Sequence, residues 1–329
     1  MAEYPSSFKA LVLEKKENKV IPRVKTVHKG SLSKGDVVIK TAYSSLNYKD
    51  MLAFKENGGV IKNYPMIPGI DLSGTVVSST DEGFQEGDKV LATGYGLGVS
   101  HSGGFSEYEK VPGYWLIKLP RKLSLKDAMS IGTAGFTAAL SVDALINNGM
   151  NLDDQIMVTG ATGGVGSIAM QILKKLGCSN LSALVHRPES EKLAKKLGAS
   201  QVVTSDSLGE PKLMANQQYD FVLDAVGGSV AEALIPQIKY DGTITMCGNA
   251  AGVNLNTNVL PFILRAVRLI GIDSVQVQLP QRIRIWDLLA GDWNINDKII
   301  NNEINLAEVP KVIKQIEKGG HIGRTIVKL

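Results

Sequence analysis

A chain of 329 residues, 44% hydrophobic and 21% charged, has the make-up of a soluble globular protein with core enough for two domains. Its formal charge of +4 is spread along the chain without a basic run or interleaved aromatics, which argues against a nucleic-acid surface. Two distant cysteines, Cys178 and Cys247, make no disulfide framework and suit a reducing cytoplasm.

Residues 1–9 lack the basic-then-apolar pattern of a signal peptide, and no apolar run approaches the length of a membrane span. The expectation is a cytoplasmic protein without membrane or nucleic-acid partners. From residue 9 to about 111 the pattern is short strands between turns. Residues 10–13, 36–42, 71–77 and 89–92 carry β-branched side chains between Gly and Asp breakers. From Asp127 onward helices alternate with apolar strands, predicted at 155–159, 181–185, 201–203, 221–224, 243–247 and 268–271. Helices are predicted at 167–175, 189–197 and 229–238 between them. Such alternation means an α/β fold with a doubly wound parallel sheet. The tail offers helices at 282–289 and 306–317 and a strand at 324–327, and chain topology returns it to the first domain. The expected domains are 1–128, 129–270 and 271–329, the last completing the first.

The segment from Ile156 to Ser167 carries the clearest chemistry. An apolar strand runs into Gly160-Ala161-Thr162-Gly163-Gly164-Val165-Gly166, and a helix opens at once. Gly163 is expected to take a positive φ in the turn, and Gly166 to let the helix lie close on the strand. A helix N-terminus there aims free N–H groups and a positive dipole end at a pyrophosphate. Ala161 holds the first position of the glycine hexad, so the strand–turn–helix setting, not the glycine count, supports a dinucleotide site.

The next strand ends in His186-Arg187-Pro188, without the carboxylate that would bind a ribose 2′-hydroxyl. Arg187, assisted by His186, suits a 2′-phosphate, so the expected cofactor is NADPH. Glycines also follow later strands, in Val226-Gly227-Gly228 and Cys247-Gly248. There either a ligand approaches the backbone or the turn is an ordinary one. Asp224 reads as structural, not as a base.

A zinc site needs clustered Cys, His or carboxylate ligands, and the four histidines are scattered. Without a metal, a developing oxyanion needs hydrogen-bond donors. Asn47 and Tyr48 follow the 36–42 strand and open a short helix, which makes them the candidate catalytic pair. An amide N–H and a phenol both bond an oxyanion, and Tyr can also give a proton. The alternative is an N-capping and packing cluster. Thr133 and Thr137, four residues apart, fall on one helix face and are candidates for the same cleft. Arg324 is read either as a phosphate or substrate contact or as a structural ion pair.

These residues also carry a family resemblance. The segments Asn47-Tyr48-Lys49-Asp50, Pro65-Met66-Ile67-Pro68-Gly69-Ile70-Asp71, Gly132-Thr133-Ala134-Gly135-Phe136-Thr137-Ala138 and Gly160 to Ser167 resemble a medium-chain dehydrogenase/reductase. So do Val259-Leu260-Pro261-Phe262-Ile263-Leu264-Arg265, Gly271-Ile272-Asp273-Ser274 and Gly323-Arg324-Thr325. The set covers nearly the whole chain and is similar to the zinc-free quinone oxidoreductase branch, specifically its acrylyl-CoA reductase group. Zinc-dependent relatives carry a Cys ligand where this chain reads Asn47-Tyr48, and a His-Glu pair where it reads Ile70-Asp71.

The resemblance implies a GroES-like β-rich catalytic domain plus a Rossmann domain with a doubly wound parallel sheet. With it come cofactor contacts at Thr133, Thr137, Gly163, Gly164, Val165, Gly166, Ser167, His186, Arg187, Val226, Gly227, Cys247, Gly248, Ser274 and Arg324. It implies a homodimer, and hydride transfer from NADPH to an activated carbon–carbon double bond, as in a short 2-enoyl-CoA such as acrylyl-CoA. An NADPH:quinone oxidoreductase shares every one of these motifs. A cofactor-binding sensor without turnover would keep the glycine turn but not need Asn47 and Tyr48. Arg265, Arg268, Arg282 and Arg284 are the candidate basic groups for a CoA phosphate.

Overall fold

The computed structural model describes residues 4–17 and 19–329. Residues 1–3, part of the segment read for a signal pattern, lie outside them. Contacts divide the chain into a first unit of residues 1–133, 275–291 and 299–329 and a second of 134–274 and 292–298. The short 292–298 piece, which the sequence pattern places in the tail, clusters with the second unit.

The first unit opens with β1 (Ser7–Lys16) and β2 (Lys19–His28), an antiparallel pair. There follow β3 (Val37–Ser45), helix α1 (Tyr48–Ala53), β4 (Asp71–Ser79), β5 (Lys89–Thr93), β6 (Tyr108–Val111) and β7 (Ile117–Lys118). The four strands expected from sequence are all present. β2 escaped notice because Pro22 and its half-exposed charged residues blur the alternation that marks a strand.

Helix α2 (Leu125–Asn147) crosses from one unit to the other. By length and composition it is apolar enough to cross a membrane, which the sequence reading had not recognised. Yet 83% of its most apolar window is buried in protein. Its path breaks at Gly132, where φ is 52° and ψ −162°.

The second unit alternates strands and helices except between its third and fourth strands, where only a short 3-10 turn intervenes. In order come β8 (Ile156–Thr159), α3 (Gly164–Leu176), β9 (Leu181–Val185), α4 (Glu191–Leu197), β10 (Gln201–Thr204) and β11 (Tyr219–Asp224). Then come α5 (Gly228–Leu234), β12 (Ile238–Met246), α6 (Leu260–Arg265) and β13 (Arg268–Gly271). The six strands lie in the order β10-β9-β8-β11-β12-β13, all parallel. That is the Rossmann order 3-2-1-4-5-6. Every residue of β8 and β9 is buried, as expected of parallel strands covered on both faces. The helix predicted at 229–238 is shorter than expected. It gives way after Leu234 to a single 3-10 turn containing Pro236, and β12 starts at Ile238.

The return segment supplies α7 (Leu279–Ala290), β14 (Asn301–Asn305), α8 (Val309–Glu317) and β15 (Arg324–Lys328). β14 and β15 extend the first unit's sheet, whose order is β14-β15-β3-β4-β5-β7 with β6 also on β3. The C-terminal tail thereby becomes part of the first unit's sheet, with β15 directly beside β3. β14 was not legible in the sequence, because Asn301-Asn302-Glu303-Ile304-Asn305 buries one residue only.

Candidate active site

In the first unit, three neighbouring strands bring one end each to a single point. β3 closes on Ser45, β4 opens on Asp71 and β15 opens on Arg324. Asp71 is wholly buried. Its carboxylate accepts from Ser45 Oγ (2.5 Å), Asn47 Nδ2 (2.7 Å), Thr133 N (2.9 Å) and Thr133 Oγ1 (2.5 Å). Four donors on two oxygens is what an acceptor-only carboxylate asks for when water is excluded.

Arg324, 2% exposed, donates from Nη2 to Ser45 Oγ (2.9 Å), from Nη1 to Leu46 O (2.9 Å) and from Nε to Ser130 O (3.2 Å). Burial lowers its pKa, while the Asp71 and Asp50 charges oppose that shift. Gly132 makes the gathering possible. A Cβ there would sit 2.6 Å from Ser45 Oγ and 2.7 Å from both Arg324 Nη2 and Asp71 Oδ2.

Asp50 is a second buried carboxylate in the group. It accepts from Asn47 N (2.8 Å) and Ile70 N (3.1 Å), tying the start of α1 to the residue before Asp71. Burial, with the nearby Asp71 charge adding to it, raises its pKa to about 7. Asn47 is the N-cap residue of α1, and Tyr48 is that helix's first residue.

Several expectations change here. Asn47 points its amide N–H at Asp71, so the capping and packing alternative describes it better than that of a free oxyanion donor. Thr133 likewise gives both its hydroxyl and its backbone N–H to Asp71. Arg324 is buried and bonded within the first unit, which corrects its reading as a phosphate or cofactor contact. Tyr48 differs from these three. It is 42% exposed, and its hydroxyl has no hydrogen-bond partner among the described residues. The residues missed from sequence are Asp71, Ser45, Asp50 and Gly132 as members of one centre. The available signal was an acid opening an otherwise apolar strand, in Ile70-Asp71-Leu72.

The centre does not fit a zinc ion. N–H and O–H donors already occupy Asp71, and no three His, Cys, Asp or Glu side chains group as metal ligands among the described residues.

In the second unit the remaining candidates line the carboxyl edge of the parallel sheet. Gly163 is the N-cap of α3 with φ −80°, and it is Gly160 that takes the positive φ, 58°. The helix begins at Gly164, three residues before the predicted start. The close-approach role holds for Gly166, whose Cβ would lie 2.3 Å from Gly160 O. Ser167 N–H is taken by Gly163 O (3.0 Å) and its side chain is buried. The N–H groups of Gly164, Val165 and Gly166, in the first turn, are the ones with no carbonyl to bond. They fit a pyrophosphate.

His186 and Arg187 follow β9, whose Leu184 pairs with Thr159 of β8, so both lie at the same edge as the glycine turn. His186 is exposed and Arg187 half-buried. Val226 and Gly227 follow β11, and Cys247 and Gly248 follow β12. The Cys247 thiol donates to Asp224 O (3.3 Å), and burial pushes its pKa up to about 12, which makes it inert as a nucleophile. Thr137 is buried in α2, and Ser274 closes the second unit's main segment. Arg265 holds the carbonyls of Pro236, Ile238 and Ala215, and Arg268 pairs with Asp241. Arg282 is buried in the first unit against Thr93. None of these three is the free phosphate contact considered from sequence.

Comparison with known proteins adds an independent line. Residues 33–121 match the family model of the alcohol dehydrogenase GroES-like domain, and residues 164–289 that of zinc-binding dehydrogenase. YhfP of Bacillus subtilis, provisionally named a quinone oxidoreductase, is 45% identical over 98% of this chain and 99% of its own. Its structure with NAD bound covers 99% of this chain and 100% of that one, with a TM-score of 0.95. Acrylyl-CoA reductase AcuI of Ruegeria pomeroyi is 39% identical over 97% of this chain and 98% of its own. The yhdH oxidoreductase of Salmonella enterica, solved in complex with NADP, is 41% identical over 98% of this chain and 99% of that one, with a TM-score of 0.95.

Gly132 provides a direct test of the Asp71 centre. Gly132→Ala adds both a disfavoured backbone and a collision with three polar atoms, and is expected to cost roughly 3 kcal/mol or more in urea unfolding. Gly59→Ala, at φ 69° with nothing within 4 Å, should cost only about 1 kcal/mol. Equal costs would show that the close gathering around Asp71 is not under steric constraint.

Proposed function

The chain belongs to the medium-chain dehydrogenase/reductase superfamily, in its acrylyl-CoA reductase group, and from that premise we propose that it reduces the activated carbon–carbon double bond of a short 2-enoyl-CoA with NADPH. The observation that carries the reading is the Tyr48 hydroxyl, an exposed donor without a partner among the described residues, standing on a helix start that Asn47, Asp50 and Asp71 hold rigid. NADPH, when bound, supplies the hydride. The chain's own residues must then meet the negative charge that arrives on the thioester carbonyl oxygen, and return a proton to the α-carbon. Tyr48 has a donor to offer for either task. The buried Asp71 cluster supports it by preventing the loop from drifting, since a positioned donor acts only at a fixed distance.

For the cofactor, the N–H groups of Gly164, Val165 and Gly166 would hold the pyrophosphate, and His186 and Arg187 the 2′-phosphate. A charge-assisted contact of that kind contributes roughly 1.5–3 kcal/mol, or about ten- to a hundredfold in affinity. Titration of the wild type should therefore favour NADPH over NADH, and Arg187→Ala should remove most of the difference. Equal affinities in the wild type would refute the 2′-phosphate assignment. The Bacillus subtilis relative, seen with NAD, makes this a necessary measurement.

A quinone is the second reading, favoured by the name that the Bacillus subtilis relative carries. NADPH oxidation with acrylyl-CoA and with a simple quinone at equal enzyme separates the two. Tyr48→Phe deepens the test, because it removes a hydroxyl and keeps the ring. Turnover on the enoyl-CoA should fall at least about tenfold, with NADPH affinity and melting temperature unchanged. A quinone takes its protons from water after hydride transfer, so it should suffer less. Unchanged turnover on both substrates would reduce Tyr48 to a wall of the site.

We also assign a homodimer. β13 is an edge strand of the parallel sheet; Leu269 stands exposed on it, as do Ile263 and Leu264 on α6 and Val259 just before that helix. An apolar sheet edge of this kind calls for a partner strand or cover. Light scattering at micromolar concentration should give twice the chain mass of 35.3 kDa, and a single-chain mass would contradict the assignment.

A further inference from the structure

Asp224 and Thr159 sit side by side at the carboxyl ends of β11 and β8, neighbours in the parallel sheet. Both are wholly buried. Thr159 Oγ1 donates to Asp224 Oδ1 (2.6 Å) and accepts from Ala225 N (2.9 Å). Asp224 Oδ1 also accepts from Val226 N (3.2 Å), and Oδ2 from Gly227 N (2.9 Å). Three consecutive backbone N–H groups of one turn are thus consumed by two side chains. A buried hydroxyl that donates to one partner and accepts from another has no rotational freedom left.

Stability alone is a poor reason to keep this arrangement. No Lys, Arg or His lies within ion-pair distance of Asp224 among the described residues, so a carboxylate is buried there without a compensating cation. Burial accordingly raises its pKa against the lowering effect of its hydrogen bonds. The turn it holds would otherwise be loose, since Gly227 and Gly228 both have positive φ, 69° and 52°. Thr159 is also the last residue before Gly160, so the same bond joins this turn to the root of the glycine turn.

We propose that Thr159 and Asp224 form a positioning clamp for the cofactor site, fixing the 225–227 turn to the end of β8 and leaving that turn without a free N–H. The two turns then divide the ligand by chemistry. The glycine turn keeps the N–H groups of Gly164, Val165 and Gly166 and takes anionic phosphate. Residues 225–227 keep no N–H for an anion, and Val226 among them presents a rigid apolar wall to the uncharged ring and ribose portion of the dinucleotide. Neither clamp residue needs to touch the cofactor. The inference rests on the proposed NADPH site.

The test compares whole cofactor with its phosphate-bearing half. In Thr159→Val, the Kd for NADPH should rise at least about tenfold, while that for adenosine 2′,5′-bisphosphate stays within about twofold. Thr159→Ser restores the hydroxyl and should recover NADPH binding to near the wild-type value. Asp224→Asn keeps shape and one acceptor oxygen, and should reproduce the selective loss should the valine variant not fold. Equal weakening of both ligands would overturn the clamp in favour of a general structural role. Unchanged NADPH affinity in both Thr159→Val and Asp224→Asn would overturn it outright. A wild type that binds neither ligand would instead defeat the cofactor reading on which the clamp stands.

Discussion

Burying the Asp71 carboxylate in the first unit imposes a demand that much of that unit's architecture meets. An ionised group taken out of water must have its lone pairs filled, and filling them here takes Ser45 from β3, Asn47 from the start of α1, and Thr133 from beyond the break in α2. Arg324, from the last strand, reaches the same group through Ser45 Oγ. The gathering requires a residue without a side chain at its centre, and Gly132 supplies one in a backbone conformation that other residues avoid. The end of β3, the opening of β4, the entry to α1 and the return of β15 are therefore parts of a single polar network. Tyr48 inherits its position from that network without belonging to it.

The second unit solves a related problem at the carboxyl edge of its sheet. Parallel strands buried on both faces expose functional groups only at their ends, so the turns after β8, β9, β11 and β12 are where this sheet can offer groups to a ligand. Those turns have opposite polarities. After β8 the first turn of α3 leaves N–H groups unpaired, whereas after β11 every N–H from Ala225 to Gly227 is taken by a side chain. One turn with unpaired N–H groups and one stretch, 225–227, with none left at the same sheet edge would suit a ligand with an anionic middle and an uncharged end. Cys247, beside the clamp, is kept a thiol by burial and adds no competing reactivity.

Much of this architecture can be read from local pattern. The alternation of apolar strands and helices from β8 to β13, the glycine turn leading into α3, and the Arg187 that follows β9 in place of a carboxylate are short-range features. Their physical causes lie within a few residues of each other: side-chain periodicity, the steric freedom of glycine, and the free N–H groups of a helix start. The short helix that opens at Tyr48 was legible for the same reason.

The roles of Asn47, Thr133 and Arg324 were decided only by tertiary structure. Each is a competent donor in isolation, and nothing nearby in sequence shows whether a ligand or the protein will claim it. Asp71 lies 24 residues from Asn47 and 62 from Thr133, and Ser45 lies 279 from Arg324. A hydrogen bond over such separations leaves no periodic trace, because it depends on which strand ends the sheet places side by side. Sequence by itself thus determined the kind of cofactor fold and a set of residues able to donate hydrogen bonds. The sheet order decided which of those residues the protein spends on its own buried charge, and which, like Tyr48, it leaves available.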